Sequence, residues 1–405
     1  MRITDVIRII NGTPNHAFND FCINSIKTDS RDIKKGDIFL IINAGYLYID
    51  IAIANGALGV IVEQEITRED ILIIKVTSTK EALKKFASFF RNQYSKPVIA
   101  ITGSVGKTTT KELIGGVLAS TRKVLKNEGN KNNIIGICNT LLKLDNSYEC
   151  VVLEVGMNHL LEIHEISLIV KPTICLITSI GSSHLGNLKS KRNILKAKME
   201  IIDGNKYALL ILNGEDNFLK KIKGMKCYRN EFPYTAFFKH LQMNYIFAIQ
   251  VCLFMGMSYD AITAQLDKLP LYNQRMNIIY RGNRIIIDDS YNASYESILG
   301  GLKYIQNLKG RKVIILGEIL ELGRHSKKIH RKLIKPLKKI KNCVYFFVGG
   351  AFNTIPFGNH FQNTNELIHF ISDYSFLLDD VIYIKASHAW GFEKVVKLFQ
   401  KEFIF

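Results

Sequence analysis

Between Ile99 and Lys111 the chain reads IAITGSVGKTTTK: a short apolar run, two glycines, then a lysine followed by threonines. A strand turning through Gly103 and Gly106 into a helix that begins at Lys107 gathers free backbone N–H groups and the positive end of a helix dipole around one small space. That space suits a polyphosphate. Gly103, Ser104, Val105, Gly106, Lys107, Thr108 and Thr109 are expected to hold it, with Lys107 on the outer phosphates and the Thr108 hydroxyl ligating magnesium. The strict P-loop pattern wants a further glycine where Ile101 stands, so this is a shortened loop, Gly-x-x-Gly-Lys-Thr-Thr. A glycine turn that binds nothing is the alternative, and Lys-Thr-Thr at the helix start speaks against it.

Other reactive side chains fall where apolar strands end. Glu154 closes the run Cys150–Val155, and a carboxylate there can hold a magnesium that bridges nucleotide phosphates. The next strand ends in TSIGSSHLGNL, which places His184 at the neighbouring edge as a candidate ligand of a second metal. A partly buried histidine with no metal is the competing reading. Arg275, in NQRM, can neutralise charge on a transferring phosphate. The strand Arg284–Asp289 runs into DDSYNAS, where Asp289 can accept ribose hydroxyl hydrogen bonds and Asn292 can read a base edge. Taken alone, that string is also an ordinary Asp/Asn/Ser turn. Lys198, on a helical stretch, reads by itself as a solvated charge.

The elements that must position these groups form three zones. From Met1 to about Ser78, short strands (Asp37–Ile42, Gly59–Val62, Ile71–Val76) alternate with a helix near Ile51–Gly56. The second zone opens with a helix at Thr79–Gln93. Buried strands follow at Ile99, Cys150–Val155, Thr173–Ile180 and Tyr207–Leu212, and a helical pair at His240–Met255 and Ser258–Lys268 closes it. Near Pro270 the rhythm restarts, with strands Arg284–Asp289, Lys312–Leu316, Cys343–Val348 and Val381–Lys385. Helices near Tyr295–Asn307, Lys327–Ile340, Asn365–Tyr374 and Gly391–Phe403 lie between and after them. The expected fold is α/β in three domains: residues 1–78, a central doubly wound, mostly parallel sheet over 79–270, and a Rossmann-like unit over 271–405.

Composition bounds the rest. With 405 residues, 47% apolar and 22% charged, the chain can build more than one core. No apolar run approaches the ~18 residues of a membrane span, and Tyr245–Met257 reads as a buried helix. The beginning, MRITDVIRII, lacks the apolar stretch and cleavage site of a signal peptide. The seven cysteines form no C-x-x-C pair or regular framework, so a reduced, cytoplasmic setting is expected. A net charge of +18 invites a nucleic-acid reading. Yet the lysine runs Lys220–Lys226 and Lys327–Lys341 lack interleaved aromatics, and lysine, isoleucine and asparagine are abundant together, as in AT-rich coding. No nucleic-acid partner is expected.

Together these segments resemble the Mur ligase family, along nearly the whole chain. The resemblance rests on TDSR (Thr28–Arg31), ITGSVGKTTTKE (Ile101–Glu112), NEGNKNNIIG (Asn127–Gly136), EVGMNH (Glu154–His159), SHLGNL (Ser183–Leu188), LNGED (Leu212–Asp216), DDSYNAS (Asp288–Ser294) and LGEILELG (Leu316–Gly323). The phosphate loop is shared with sister ligases and folylpolyglutamate synthetases, whereas DDSYNA and LGE-x-x-ELG favour the member that adds D-alanyl-D-alanine. The resemblance implies an N-terminal domain for a UDP-sugar, a central ATPase and a C-terminal domain for the incoming amine. It implies ATP and Mg²⁺ as cofactors. UDP-N-acetylmuramoyl-tripeptide and D-alanyl-D-alanine are the implied substrates, joined through an acyl phosphate by a monomer. Lys107, His184, Lys198 and Arg275 become catalytic, with Lys198 matching a lysine that some sister ligases carry carbamylated. Thr108, Glu154 and His184 become metal ligands. Asp289 and Asn292 touch the nucleotide, Ser30 and Arg31 the uridine diphosphate end, and Asn132 and Asn133 fall in a substrate-facing loop.

The sequence departs from the family pattern in places. The Asp-Gly-His turn is missing around Gly45–Asp50, and the stretch from Asp216 to His240 is short, implying lost edge strands. Gln274-Arg275 replaces Gly-Arg, Glu318 replaces an aspartate, and Lys385-Ala-Ser-His388 replaces Lys-Gly-Ser-Arg. Three competitors follow: another Mur ligase or a folylpolyglutamate synthetase-like enzyme, a basic P-loop ATPase stimulated by nucleic acid, and a degraded ligase that binds nucleotide with little turnover.

Overall fold

Apolar runs with no polar alternation demand cover on both faces, and each of the three sheets receives it. The structure, a computed structural model, describes residues 1–236, 241–269 and 275–401. The first sheet holds β1 (Thr13–Pro14), β2 (Ile26–Lys27), β3 (Ile38–Leu40), β4 (Gly59–Val62) and β5 (Leu72–Lys75) in the order β1-β5-β4-β3-β2. Only β1 runs antiparallel to its neighbour. The helix Ile3–Ile10, which the sequence reading passed over, buries Ile3, Val6 and Ile10 beneath it.

The second sheet is wholly parallel: β6 (Val98–Thr102), β7 (Val124–Lys126), β8 (Cys150–Glu154), β9 (Ile174–Ile177), β10 (Leu209–Asn213) and β11 (Met225–Cys227), in the order β11-β10-β9-β6-β8-β7. Val98 and Ala100 of β6 pack on one face, against Leu83 and Phe86 of the helix Thr79–Asn92 and Ile137 of the helix Ile134–Leu141. Ile99 and Ile101 pack on the other, against Ile114 and Val117 of the helix Lys107–Leu118 and Phe247 of the helix Gln242–Phe254. Each such Val, Leu, Ile or Phe side chain, almost wholly withdrawn from water, contributes on the order of 2 kcal/mol. The apolar helix is thus a core helix, as expected, and no helix among the described residues is long and apolar enough to cross a membrane.

The third sheet runs β12-β13-β17-β14-β15-β16, built from β12 (Asn277–Arg281), β13 (Arg284–Asp288), β14 (Lys312–Gly317), β15 (Cys343–Val348), β16 (Asn359–Phe361) and β17 (Val381–Lys385). Here β12 alone is antiparallel, folding back on β13. It is the first described strand of this sheet, so Arg275 precedes β12 rather than β13. The single helix expected over Lys327–Ile340 is two, Ser326–Lys332 and Ile334–Lys338. Pro336 explains the break, because it lacks the N–H that would bond one turn back. Among its described residues, the stretch after Asp216 keeps one edge strand, β11. The residue His240, the boundary at 270/271, Gln274 and Phe403 lie outside the described residues.

Helix Tyr295–Ile305 reaches β17 by close contact at Gly301, where an added Cβ would stand 1.9 Å from the hydroxyl oxygen of buried Tyr383. Gly301→Ala is therefore expected to destabilise the protein by about 1–3 kcal/mol through overpacking. Urea unfolding monitored by circular dichroism measures this, and an unchanged midpoint would contradict the packing.

Candidate active site

The crossover pattern decides where loops collect. In the second sheet β6 lies between β9 and β8, so the loops leaving these strands meet at one carboxyl edge, the usual ligand crevice of a doubly wound sheet. The loops after β13, β14 and β17 of the third sheet approach the same edge. Between them lies a cleft of about 420 Å³ lined by Lys107, Thr108, Glu154, His184, Arg275, Asp289 and Asn292, among others.

The phosphate loop follows β6 as expected. Gly103 and Gly106 have φ of +151° and +90°, and an added Cβ at Gly103 would fall 1.8 Å from the Thr178 hydroxyl oxygen. Glycine is needed there for both reasons. Gly106 precedes the helix Lys107–Leu118, whose first turn thereby points its backbone N–H groups toward the cleft. Lys107 donates to the Gly103 carbonyl at 2.9 Å. Asn244, from the helix Gln242–Phe254, braces this turn, donating to the Gly106 carbonyl at 3.0 Å and to the Thr110 hydroxyl at 2.9 Å.

Glu154 is the anionic centre. The Thr108 hydroxyl donates to its Oε2 at 2.5 Å and Asn132 Nδ2 to its Oε1 at 2.7 Å. Asn127 fixes its backbone in both directions, accepting from Glu154 N at 2.9 Å and donating to its carbonyl at 3.0 Å. Arg275 crosses from the third sheet's side, donates from Nη2 to the Thr108 hydroxyl oxygen at 2.9 Å and lies 4.2 Å from the centre of the Tyr291 ring. Its Nε is buried without a hydrogen-bond partner. Burial lowers the pKa of Lys107, with Arg275 adding like-charge repulsion against the pull of Glu154 and Glu321. Lys198, almost fully buried on the helix Lys191–Met199, is driven well below the ordinary lysine range by desolvation and by Lys107.

His184 has a left-handed backbone (φ 62°), as does Glu321 (φ 67°), and the two face each other across the cleft. His184 Nδ1 lies 2.9 Å from Glu321 Oε2, within ion-pair range but outside hydrogen-bond geometry. The backbones are also joined: Gly186 N donates to the Glu321 carbonyl at 2.7 Å, and a Cβ on Gly323 would stand 3.0 Å from the Gly186 Cα. In the third sheet Asp289 is held by Lys385 Nζ at 2.6 Å and by the Tyr383 hydroxyl at 3.0 Å.

The structure brings most of the residues singled out from sequence to this cleft. Ser104, Val105, Thr109, Asn132 and Asn133 line it as well, while Gly103 stands behind the loop and Lys198 beneath it. Asn133 caps the helix Ile134–Leu141, its Oδ1 accepting from Gly136 N at 2.9 Å. Asn292 Oδ1 accepts from the Ala293 amide. His184 contacts neither Glu154 nor Thr108 among the hydrogen bonds and ion pairs of the described residues, and no group of three His, Cys, Asp or Glu there is disposed to hold a metal. Ser30 and Arg31 lie outside the lining. Ser30 is buried, its carbonyl taking the Asn55 amide, and exposed Arg31 is clamped by Asp29 at 2.6 Å. Glu321, Asn244, Asn127, Glu296 and Tyr383 went unassigned in the sequence reading. The LGEILELG string contains Glu321 and the NEGNKNNIIG string opens on Asn127, but nothing local marks the others.

Comparison with known proteins supplies the frame for this geometry. Residues 101–244 match the Mur ligase middle domain and residues 274–387 the Mur ligase, glutamate ligase domain. The chain is similar to a UDP-N-acetylmuramoyl-tripeptide–D-alanyl-D-alanine ligase of Rickettsia prowazekii, at 30% identity over 94% of this chain and 96% of that protein. It is also similar to the Bacillus subtilis ligase of the same name, at 28% identity over 98% and 97% of the two chains. A crystal structure of MurF from Acinetobacter baumannii superposes with a TM-score of 0.86 at 27% identity, covering 98% of each chain. On these grounds the chain belongs to the Mur ligase family.

Proposed function

We propose that the protein forms an amide bond at the expense of ATP, joining D-alanyl-D-alanine to UDP-N-acetylmuramoyl-tripeptide in peptidoglycan precursor synthesis. The observation that carries this reading is the cleft itself. It sets a phosphate loop with Lys107 opposite Arg275 and Asp289 from a second α/β unit, in a chain whose relatives bear that ligase name. A carboxylate is a poor electrophile. Transfer of the γ-phosphoryl group breaks its bond to ADP and makes an acyl phosphate on the tripeptide's free acid. The dipeptide amine then attacks the carbonyl carbon, and phosphate leaves from the tetrahedral intermediate as the amine gives up its proton. Such chemistry asks the protein chiefly for alignment and for neutralisation of phosphoryl charge.

Lys107 and Arg275 supply the neutralising charge, and Asp289, fixed by Lys385 and Tyr383, stands where a ribose would be read. The site suits magnesium. Thr108 Oγ1 and the Glu154 carboxylate give hard oxygen donors in contact with one another, and this metal prefers a few carboxylate or hydroxyl ligands with water and phosphate completing its shell. When bound, magnesium would add Lewis-acid stabilisation of the phosphate oxygens. Burial and the nearby Lys107 lower the pKa of Lys198, which favours the neutral amine that carbon dioxide can carbamylate. We place the uridine end of the substrate against the first sheet near Ser30 and Arg31, and the amine substrate on the third. Domains of 1–78, 79–270 and 271–405, a monomer and a cytoplasmic setting complete the reading.

Phosphate release from ATP with UDP-muramoyl-tripeptide, scanned across amine substrates, tests it: D-alanyl-D-alanine is expected to drive release, and single amino acids or nucleic acid are not. Release with one amino acid and none with the dipeptide would reverse the assignment. Lys107→Ala is expected to reduce kcat by about 100-fold or more, since a donor to the developing charge is lost. Turnover within a few-fold of the parent would remove the phosphate loop from the mechanism.

A further inference from the structure

Glu296 is the second residue of the helix Tyr295–Ile305 in the third domain, yet its carboxylate is spent on the second. Oε2 accepts from the Ser182 backbone N–H at 3.0 Å and from the Ser182 hydroxyl at 2.7 Å. Oε1 accepts from Lys191 Nζ at 3.1 Å. Both partners lead to the cleft. Ser182 lies two residues before His184, and Lys191 opens the helix that carries Lys198.

The segment that Glu296 grips is also tied to the phosphate loop. Ser104 N donates to the Ser179 carbonyl at 2.9 Å, Val105 N to the Ser179 hydroxyl at 3.0 Å, and Gly181 N to the Ser104 hydroxyl at 2.8 Å. Space is exhausted at the junction: a Cβ on Gly181 would stand 2.9 Å from Glu296 Oε2 and 3.0 Å from Ser104 Cβ. Burial works against the charge of Glu296, but the Ser182 hydroxyl and Lys191 outweigh it and hold its pKa below the ordinary glutamate value. It is a charged acceptor whose side-chain partners, Ser182 and Lys191, both belong to a neighbouring domain.

We propose that Glu296 is a positioning residue for the ligation reaction. By clasping Ser182 and Lys191 from the third domain, it fixes the 179–184 loop that braces the phosphate loop, so that the phosphoryl-transfer geometry is complete only when the third domain is seated. The inference rests on the function proposed above for its kinetic consequence, while the clasp itself has a physical signature independent of substrate. The Glu296 bonds reach Ser182 and Lys191 and none of the groups assigned to the nucleotide, neither the phosphate loop nor Asp289, so the clasp acts on turnover more than on nucleotide affinity.

Steady-state ligation by the full-length protein and its Glu296→Ala, Glu296→Gln, Ser182→Ala and Ser182→Ala/Glu296→Ala variants tests this, alongside amide hydrogen exchange of the 180–185 segment. Loss of a charge-assisted pair of bonds should lower kcat of Glu296→Ala roughly 10- to 100-fold, with the KM for ATP within about 3-fold. Glu296→Gln, which keeps an acceptor for Ser182, should lose less than ~10-fold, and the double variant should be no worse than Glu296→Ala because both act on one contact. Exchange at the Ser182 amide should accelerate at least ~10-fold in Glu296→Ala whether or not ligation is detected. Unchanged exchange overturns the clasp. Parental kcat in Glu296→Ala, additive losses in the double variant, or a loss matched in ATP affinity and melting temperature overturns the positioning role. A parent protein that never joins the dipeptide refutes the proposed function instead, leaving the exchange result to judge the clasp.

Discussion

One buried carboxylate organises the cationic side chains around the cleft. Glu154 sits at the end of β8, in parallel register with Ile101 one residue before the end of β6. Strand pairing thus delivers a negative charge beside the phosphate loop before any side chain chooses a rotamer. Protonated Lys107 meets like charge from Arg275 and disfavours a proton on Lys198, and Coulomb repulsion in so dehydrated a place is far stronger than in water. Glu154 offsets part of that repulsion, and Thr108 and Asn132 keep its two oxygens aimed. Lys107 and Arg275, beside the backbone N–H groups that open the helix Lys107–Leu118, then give this part of the cleft its donors for a polyanion.

The second requirement is that two sheets share one crevice. Each is doubly wound, and each turns the carboxyl ends of its strands toward the other, so loops after β6, β8 and β9 meet loops after β13, β14 and β17. Neither set is sufficient alone. The first carries the phosphate loop and Glu154, the second Asp289 and Glu321, and Arg275 bridges them through the Thr108 hydroxyl. Chemistry that needs three substrates aligned in one place gains from such a division, because each unit can stay rigid while their meeting sets the geometry.

Much of this was legible in the sequence because the relevant signals are local. The phosphate loop, Glu154 at the end of an apolar run, and Asp289 at the end of another are each readable from fewer than a dozen neighbours. Strands buried on both faces, such as β4 and β17, emerge with the expected limits for the same reason. What escaped was of two kinds. Strands of two to five residues, half-exposed like β12 or confined to an edge like β7, β11 and β16, owe their form to a partner strand and have little pattern of their own. Side chains that act across the chain were the other kind: Glu296 meets Ser182 over 114 positions, and Asn244 meets Gly106 over 138. The side chain that His184 faces, Glu321, likewise lies far along the sequence.

The backbone contact between Gly186 and Gly323 carries a consequence of a different order. Where two units meet through side chains, a substitution on one surface can be answered by a complementary change on the other, and the joint can wander over generations. At this seam there is nothing to trade: a Cβ on Gly186 would stand 2.8 Å from the Glu321 carbonyl oxygen and 2.9 Å from Gly323 N. Any larger residue wedges the two units apart, and no reciprocal replacement makes room. The seam is therefore a fixed hinge-stop, one spot at which the spacing of the two halves is set by peptide planes alone.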